Sequence, residues 1–254
     1  MTFANFTPVS KLGDVEEEVA TAIAKVAYVI SPRIVRLVSE LNHAWKTEFE
    51  TRFGSRIDPT HYLYPGSACV FPGVRRHSSE ADRNLELFVY QDAAKAILDD
   101  NSFPRQLWSF VCTGKKYSRG GQHWKKSGLG KFELAHVLPH KAYELTGVSE
   151  WFEKRPPIDG LSGLFTCASN VILLPKGMSR PTDGTEGIRI AVFKRYFDLY
   201  GESHAGGFSR ITLPKRLTWV DKLHWTDPVE PPDWETRVAE LDNYRKAILR
   251  KLLG

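Results

Sequence analysis

The sequence predicts an α+β protein: two short apolar strands and a helix in mid-chain, between an N-terminal helical region and a C-terminal strand-and-helix region. Three observations lead there. Residues 14–53 repeat apolar side chains at helical spacing. The runs 132–139 and 171–175 are short, apolar and stopped by proline, and residues 234–253 read as an amphipathic helix.

Taken in order, Asp14 is the expected first cap, with Glu17 three residues on. Val15, Val19, Ile23, Val26 and Ile30 follow at helical intervals. Ser31-Pro32 stops that helix and starts another, serine as cap and proline at the first helical position. Ile34, Val38, Leu41, Trp45 and Phe49 form its apolar stripe. Residues 54–76 are rich in proline and glycine. Leu85 to Tyr90 reads as a strand and Gln91 to Asp99 as a short helix. A basic stretch, 101–132, whose glycines are expected to make it flexible, leads into the first central strand. After the second strand, Pro181-Thr182-Asp183-Gly184-Thr185-Glu186 is a turn rich in capping residues, opening a helix from Ile188 to Tyr200. Ile211 to Val220 reads as one or two strands around Pro214, and Pro228 to Pro232 as a linker. The chain thus divides into residues 1–100, helical and mixed; 101–205, the central core with its basic lead-in; and 206–254, strand and amphipathic helix.

Composition narrows the function classes. With 254 residues and 42% hydrophobic content, a sizeable core is expected and disorder is not. The net charge of +5 leans towards a polyanionic partner. Cys69, Cys112 and Cys167 have no zinc-finger spacing, and their odd number argues against a disulfide framework, so a reducing cytoplasm fits. The first residues lack the basic and apolar parts of a signal peptide, and no run has the length of a membrane span.

The chemistry concentrates in Phe132-Glu133-Leu134-Ala135-His136-Val137-Leu138-Pro139-His140 and in Ser169-Asn170-Val171-Ile172-Leu173-Leu174-Pro175-Lys176. A histidine on a strand, an asparagine leading into a second strand, then a helix: this order resembles the ββα-metal (HNH) endonuclease motif. The resemblance covers about residues 110–200. It implies a ββα-metal nuclease core with His136 as general base and Asn170 as the residue that orients it. Imidazole suits that role because its unperturbed pKa lies near 6.5. It also implies one divalent cation, magnesium or manganese, held from the following helix. Family members often carry a metal ligand just before the base, where this chain has Ala135, and a last histidine where it has Ser179. Asp183 is the nearest oxygen ligand and Glu133 the second, and a magnesium site needs only one or two carboxylates. Cys112-Thr113-Gly114-Lys115 is similar to the lead-in before the motif, without the paired cysteines of zinc-bearing members.

An independent signal precedes the first strand. From Asn101 to Phe132 there is no acidic residue, while Arg105, Lys115, Lys116, Arg119, Lys125, Lys126 and Lys131 alternate with Trp108, Tyr117 and Trp124. Such cations bind phosphates, and Trp124 or Tyr117 can stack on bases or wedge between them. Lys176 and Arg180, between second strand and helix, read either as solvated charges or as further phosphate contacts. The expectation is a metal-dependent endonuclease of restriction or defence type acting on double-stranded DNA, with a homodimer suited to two-fold sites. Two other readings remain open: a nucleic-acid-binding module with an inactive HNH-like core, and a cysteine hydrolase pairing Cys112 or Cys167 with His136.

Overall fold

Ser31-Pro32 divides the first fifty residues into two helices, α1 (Leu12–Val26) and α2 (Pro32–Phe53). The Arg33 N–H donates to Ser31 Oγ at 3.2 Å, and the Val35 N–H to the Ser31 carbonyl at 3.1 Å. Serine therefore satisfies an early amide, while proline, having none, takes the first helical position. Helix α1 starts two residues before Asp14, which falls inside its first turn.

The computed structural model describes residues 12–53, 65–70, 102–118, 122–139, 149–155, 164 and 166–253. The strand expected at 85–90 and the helix at 91–99 lie outside these. Downstream follow α3 (Ser102–Thr113), α4 (Gln122–Lys126), β1 (Phe132–His136), β2 (Val171–Pro175), α5 (Ser179–Gly184), α6 (Glu186–Tyr200) and α7 (Trp234–Leu253). The described residues are α+β: mostly helical, with one small antiparallel sheet.

In that sheet Phe132 pairs with Pro175, Leu134 with Leu173 and His136 with Val171. The free edge of β2 is met by Tyr28, which exchanges two backbone hydrogen bonds of 2.9 Å with Leu173. Strand β2 is thus enclosed, and Val171 to Leu174 are all buried. That is why it reads as an unbroken apolar run.

Two expectations change. Ile211 to Val220 does not form strands beyond one isolated bridge, between Phe152 and Ile211. Pro214 is extended and is followed by a 3-10 stretch, Lys215–Lys222, which buries Leu217, Trp219 and Val220. Proline offers no ladder donor, so the apolar spacing is spent on a helical turn instead. The basic stretch after Asn101, read as flexible, begins with the regular helix α3.

Residues from all three sequence regions enter one buried cluster, from Ala20 and Ile34 through Trp108 and Leu173 to Val238 and Leu241. Helix α7 adds a buried cation. Arg245 is 1% exposed, with Nη2 donating to Asp242 Oδ1 at 2.6 Å and Nη1 to Asn42 Oδ1 at 2.8 Å. Its guanidinium also lies 4.6 Å from the Trp45 ring centre. A charge this deep is tolerable only with such partners. No described helix is long and apolar enough to cross a membrane.

Candidate functional site around His136 and Asn170

Asparagine is the one side chain of its size with an acceptor and two donors at the same tip, and Asn170 uses all three. It ends a 3-10 turn, Ala168–Asn170, just before β2, and it is fully buried. Its Oδ1 accepts the Leu138 N–H at 2.5 Å, and its Nδ2 donates to the carbonyls of Leu138 (3.0 Å) and Leu164 (3.1 Å). The Asn170 carbonyl also accepts the Val137 N–H at 3.0 Å. The chain leaving His136 is thereby gripped at its next two residues. Neither aspartate, which lacks the donors, nor leucine, which lacks both, would satisfy these groups.

His136 ends β1 and is half-buried, its Nε2 enclosed by protein. By strand alternation its side chain shares a face with Leu134 and Phe132. Ala135 points to the other face, 6% exposed and opposite Ile172. The position at which HNH nucleases often carry an adjacent ligand is therefore filled by core packing.

Glu133 shares the face of Ala135, opposite to that of His136. Its Oε1 accepts the N–H groups of Gly177 (2.9 Å) and Ser179 (3.1 Å). Gly177 turns the chain there with φ of 89°. The Ser179 hydroxyl, then the two amides and the nearby Lys176 charge, hold the Glu133 carboxyl below its ordinary range against an opposing effect of burial. Glu133 thus organises the β2–α5 turn, and Ser179, where the resembled motif has its last histidine, is its partner. Asp183 lies within α5 rather than at the start of α6, whose N-cap is Thr185. The side chains of Asp183 and Arg180 lie outside the described residues. His204, half-buried, sits with Nδ1 2.6 Å from the Gly66 carbonyl, and burial lowers its pKa. Among the described residues no three His, Cys, Asp or Glu side chains converge as a metal site.

Ahead of β1, the backbone of Lys115 and Tyr117 is held by two buried polar residues that the sequence reading did not single out. Gln106, 1% exposed on α3, donates through Nε2 to the Tyr117 carbonyl (3.1 Å) and accepts the Tyr117 N–H through Oε1 (2.6 Å). Ser109 Oγ donates to the Lys115 carbonyl at 2.7 Å and lies 3.3 Å from His123 Nε2. Gln106 and Ser109 are three apart on one helix face beside Leu107 and Trp108; that polar pair on an apolar face was the available signal. Lys115, Lys116, Lys125 and Lys126 are exposed. Arg119 and His140 lie outside the described residues. Trp124 is half-buried and meets Tyr117 edge to face at 5.1 Å, so part of the ring expected to reach bases packs within the protein. Lys176 is exposed at the turn after β2, its N–H donating to the Lys131 carbonyl at 3.0 Å. These two lysines flank the end of the ladder away from His136, roughly 17 Å along the strand.

Cys112, near the end of α3, has its thiol pushed up to about 11 by burial, with Arg237 opposing. It is a poor thiolate at neutral pH. Cys167 is buried in the core. Neither has the electropositive, open setting of a cysteine nucleophile.

No protein-family model, curated protein or solved structure matches this chain. The functional reading rests on the residues themselves.

Proposed function

We propose that this chain is a metal-dependent endonuclease with a ββα-metal core that hydrolyses phosphodiester bonds of double-stranded DNA, in a restriction or defence role. The observation that carries the reading is the Asn170 grip on Val137 and Leu138. It fixes the backbone that presents His136, at the point where two antiparallel strands meet ahead of a helix. A general base contributes only if it is held in place, and a fully paired asparagine does that without adding charge. His136 takes the proton of the attacking water, and Asn170 keeps the strand end from shifting as the imidazole becomes charged. Lys115, Lys116, Lys125 and Lys126, with Lys176, Arg119 and Arg180, hold the DNA backbone. At the far end of the ladder, Lys176 meets a phosphate other than the one cleaved.

The cation of this reading, magnesium or manganese, neutralises charge on the leaving oxygen when bound. The described residues offer it no ready cluster, and Glu133 already accepts two amides. The protein's share of ligands therefore falls on Asp183, since Glu133 lies on the strand face opposite His136. Cleavage of plasmid DNA by the purified chain should require magnesium or manganese, stop with a chelator and disappear in Asp183→Ala. A fully active Asp183→Ala would move the ligand elsewhere. The buried Ala135 and the engaged Ser179 favour one second reading, a DNA-binding module that does not cut. Tight, salt-sensitive binding with no cleavage under any divalent metal would select it. A homodimer belongs to the same proposal, and sedimentation on a palindromic duplex tests it.

A further inference from the structure

Cys69 and Cys167 are 98 positions apart, yet they face each other in an isolated antiparallel bridge. The Val70 N–H donates to the Thr166 carbonyl at 3.0 Å and the Ala168 N–H to the Ala68 carbonyl at 2.8 Å. The backbone bonds therefore flank the two cysteines rather than joining them. Opposed residues of that kind have Cα atoms about 4.5 Å apart and side chains on one side of the ladder. Disulfides span Cα separations of about 4.4–6.8 Å, so this backbone accepts one without moving apart. Both residues carry thiols and both are fully buried. The sulfurs rest near hydroxyls, Cys69 Sγ 2.9 Å from Thr166 Oγ1 and Cys167 Sγ 3.9 Å from Ser67 Oγ. A turn about χ1 redirects each sulfur towards the other. Arg245 Nη1 donates to the Cys69 carbonyl at 3.3 Å, which fixes the backbone of this side of the bridge.

We propose that Cys69 and Cys167 are a redox modification site that forms a reversible intramolecular disulfide. This stands whether or not the chain is a nuclease. With a small disulfide such as oxidised glutathione, the Cys69 thiolate attacks one glutathione sulfur and releases one glutathione thiolate. The Cys167 thiolate then attacks the Cys69 sulfur, closing the protein disulfide and releasing the second glutathione. Two protein thiols are oxidised, one glutathione disulfide is reduced, and the two protons pass to the released thiolates. Because the thiols are enclosed, the exchange proceeds as the 65–70 segment opens or as the chain folds. Cys167 caps the turn that ends at Asn170, whose N–H donates to its carbonyl at 3.0 Å. The cross-link thereby braces the segment three residues ahead of the asparagine grip.

The test uses the full chain carrying Cys112→Ser, which leaves this pair as its only thiols. It is incubated natively, and also refolded, with oxidised glutathione, then alkylated in denaturant and mapped by mass spectrometry. The expected product has lost two hydrogens, takes up no alkylating reagent and yields a peptide joining residues 69 and 167. Its thermal midpoint should rise by about 5 °C or more, since a loop of this length is closed in the unfolded chain, and a dithiol should reverse the rise. Cys69→Ser and Cys167→Ala, each added to Cys112→Ser, should show no rise. Two alkylatable thiols after both treatments, a persistent glutathione adduct, or a cross-linked protein with a lower midpoint would each overturn the proposal.

Discussion

Asn170 and the lysines of residues 115–126 are both polar groups nominated by the sequence, and the fold treats them in opposite ways. Every polar atom at the Asn170 tip has an internal partner, and no water reaches it. The lysine side chains face solvent, while the backbone of their segment is anchored at Lys115 by Ser109 and at Tyr117 by Gln106. The first arrangement makes a side chain part of the architecture. The second makes it a tool on an architecture supplied by others. Substitutions should separate the two, in stability at the first site and in ligand affinity at the second.

The sharpest separation is Asn170→Ala. It strands the N–H and carbonyl of Leu138 and the Leu164 carbonyl, at about 1–3 kcal/mol for each group left unpaired and buried. Urea unfolding should show a loss of about 3 kcal/mol or more, together with loss of cleavage. A variant with unchanged urea midpoint would mean that water enters and replaces the grip. Next is His136→Ala, half-buried and at a strand end. On the nuclease reading it should lower the cleavage rate about 10²–10⁴-fold with little change in DNA affinity, as single-turnover kinetics and a binding titration would register. Cutting at the normal rate would remove the histidine from the chemistry.

Charge neutralisation probes the other region. Replacing Lys115, Lys116, Lys125 and Lys126 together by glutamine should leave the unfolding midpoint alone and weaken duplex binding. The slope of log affinity against log salt should flatten by about 0.9 for each phosphate that the variant no longer neutralises. Unaltered affinity and slope would show that this surface meets only water. The smallest effect belongs to Glu133, which is polar, bonded and half-buried. Its folded pKa is depressed, so its stabilisation is present above the ordinary glutamate value of about 4.5 and fades as pH falls through the folded value. Acid unfolding of Glu133→Gln should therefore lack a small part of the wild-type loss below that value. Identical acid profiles would release Glu133 from the turn.

Local signals made much of this molecule legible. Ser31-Pro32 announced the α1–α2 break, the proline-stopped apolar runs became β1 and β2, and the period from Trp234 marked α7. These features depend on neighbours within a few positions. What could not be read depends on distant partners. Arg245 sat on the apolar stripe of α7 without any local hint of Asn42, Cys69 or Val70, which receive its hydrogen bonds. Ile211 to Val220 alternates well enough for a strand, but among the described residues only Phe152 pairs with it, in an isolated bridge. At the candidate site His136 and Asn170 were visible as residue types. The atoms that Asn170 grips were not, because a backbone N–H leaves no trace in sequence. Glu133 was read as a cation ligand because carboxylates serve both purposes, and only geometry revealed its bonds to Gly177 and Ser179.

The Arg245–Asn42 contact also sets a timetable. The two residues are 203 positions apart, and the same guanidinium reaches the carbonyls of Cys69 and Val70. On a ribosome adding about 5–20 residues each second, Asn42 emerges roughly 10–40 s before the arginine that completes its hydrogen bonding. During that interval Asn42 and the carbonyls of Cys69 and Val70 have no buried cation to close around. Final closure of the core is then a late, non-local event, of the kind that slows folding most.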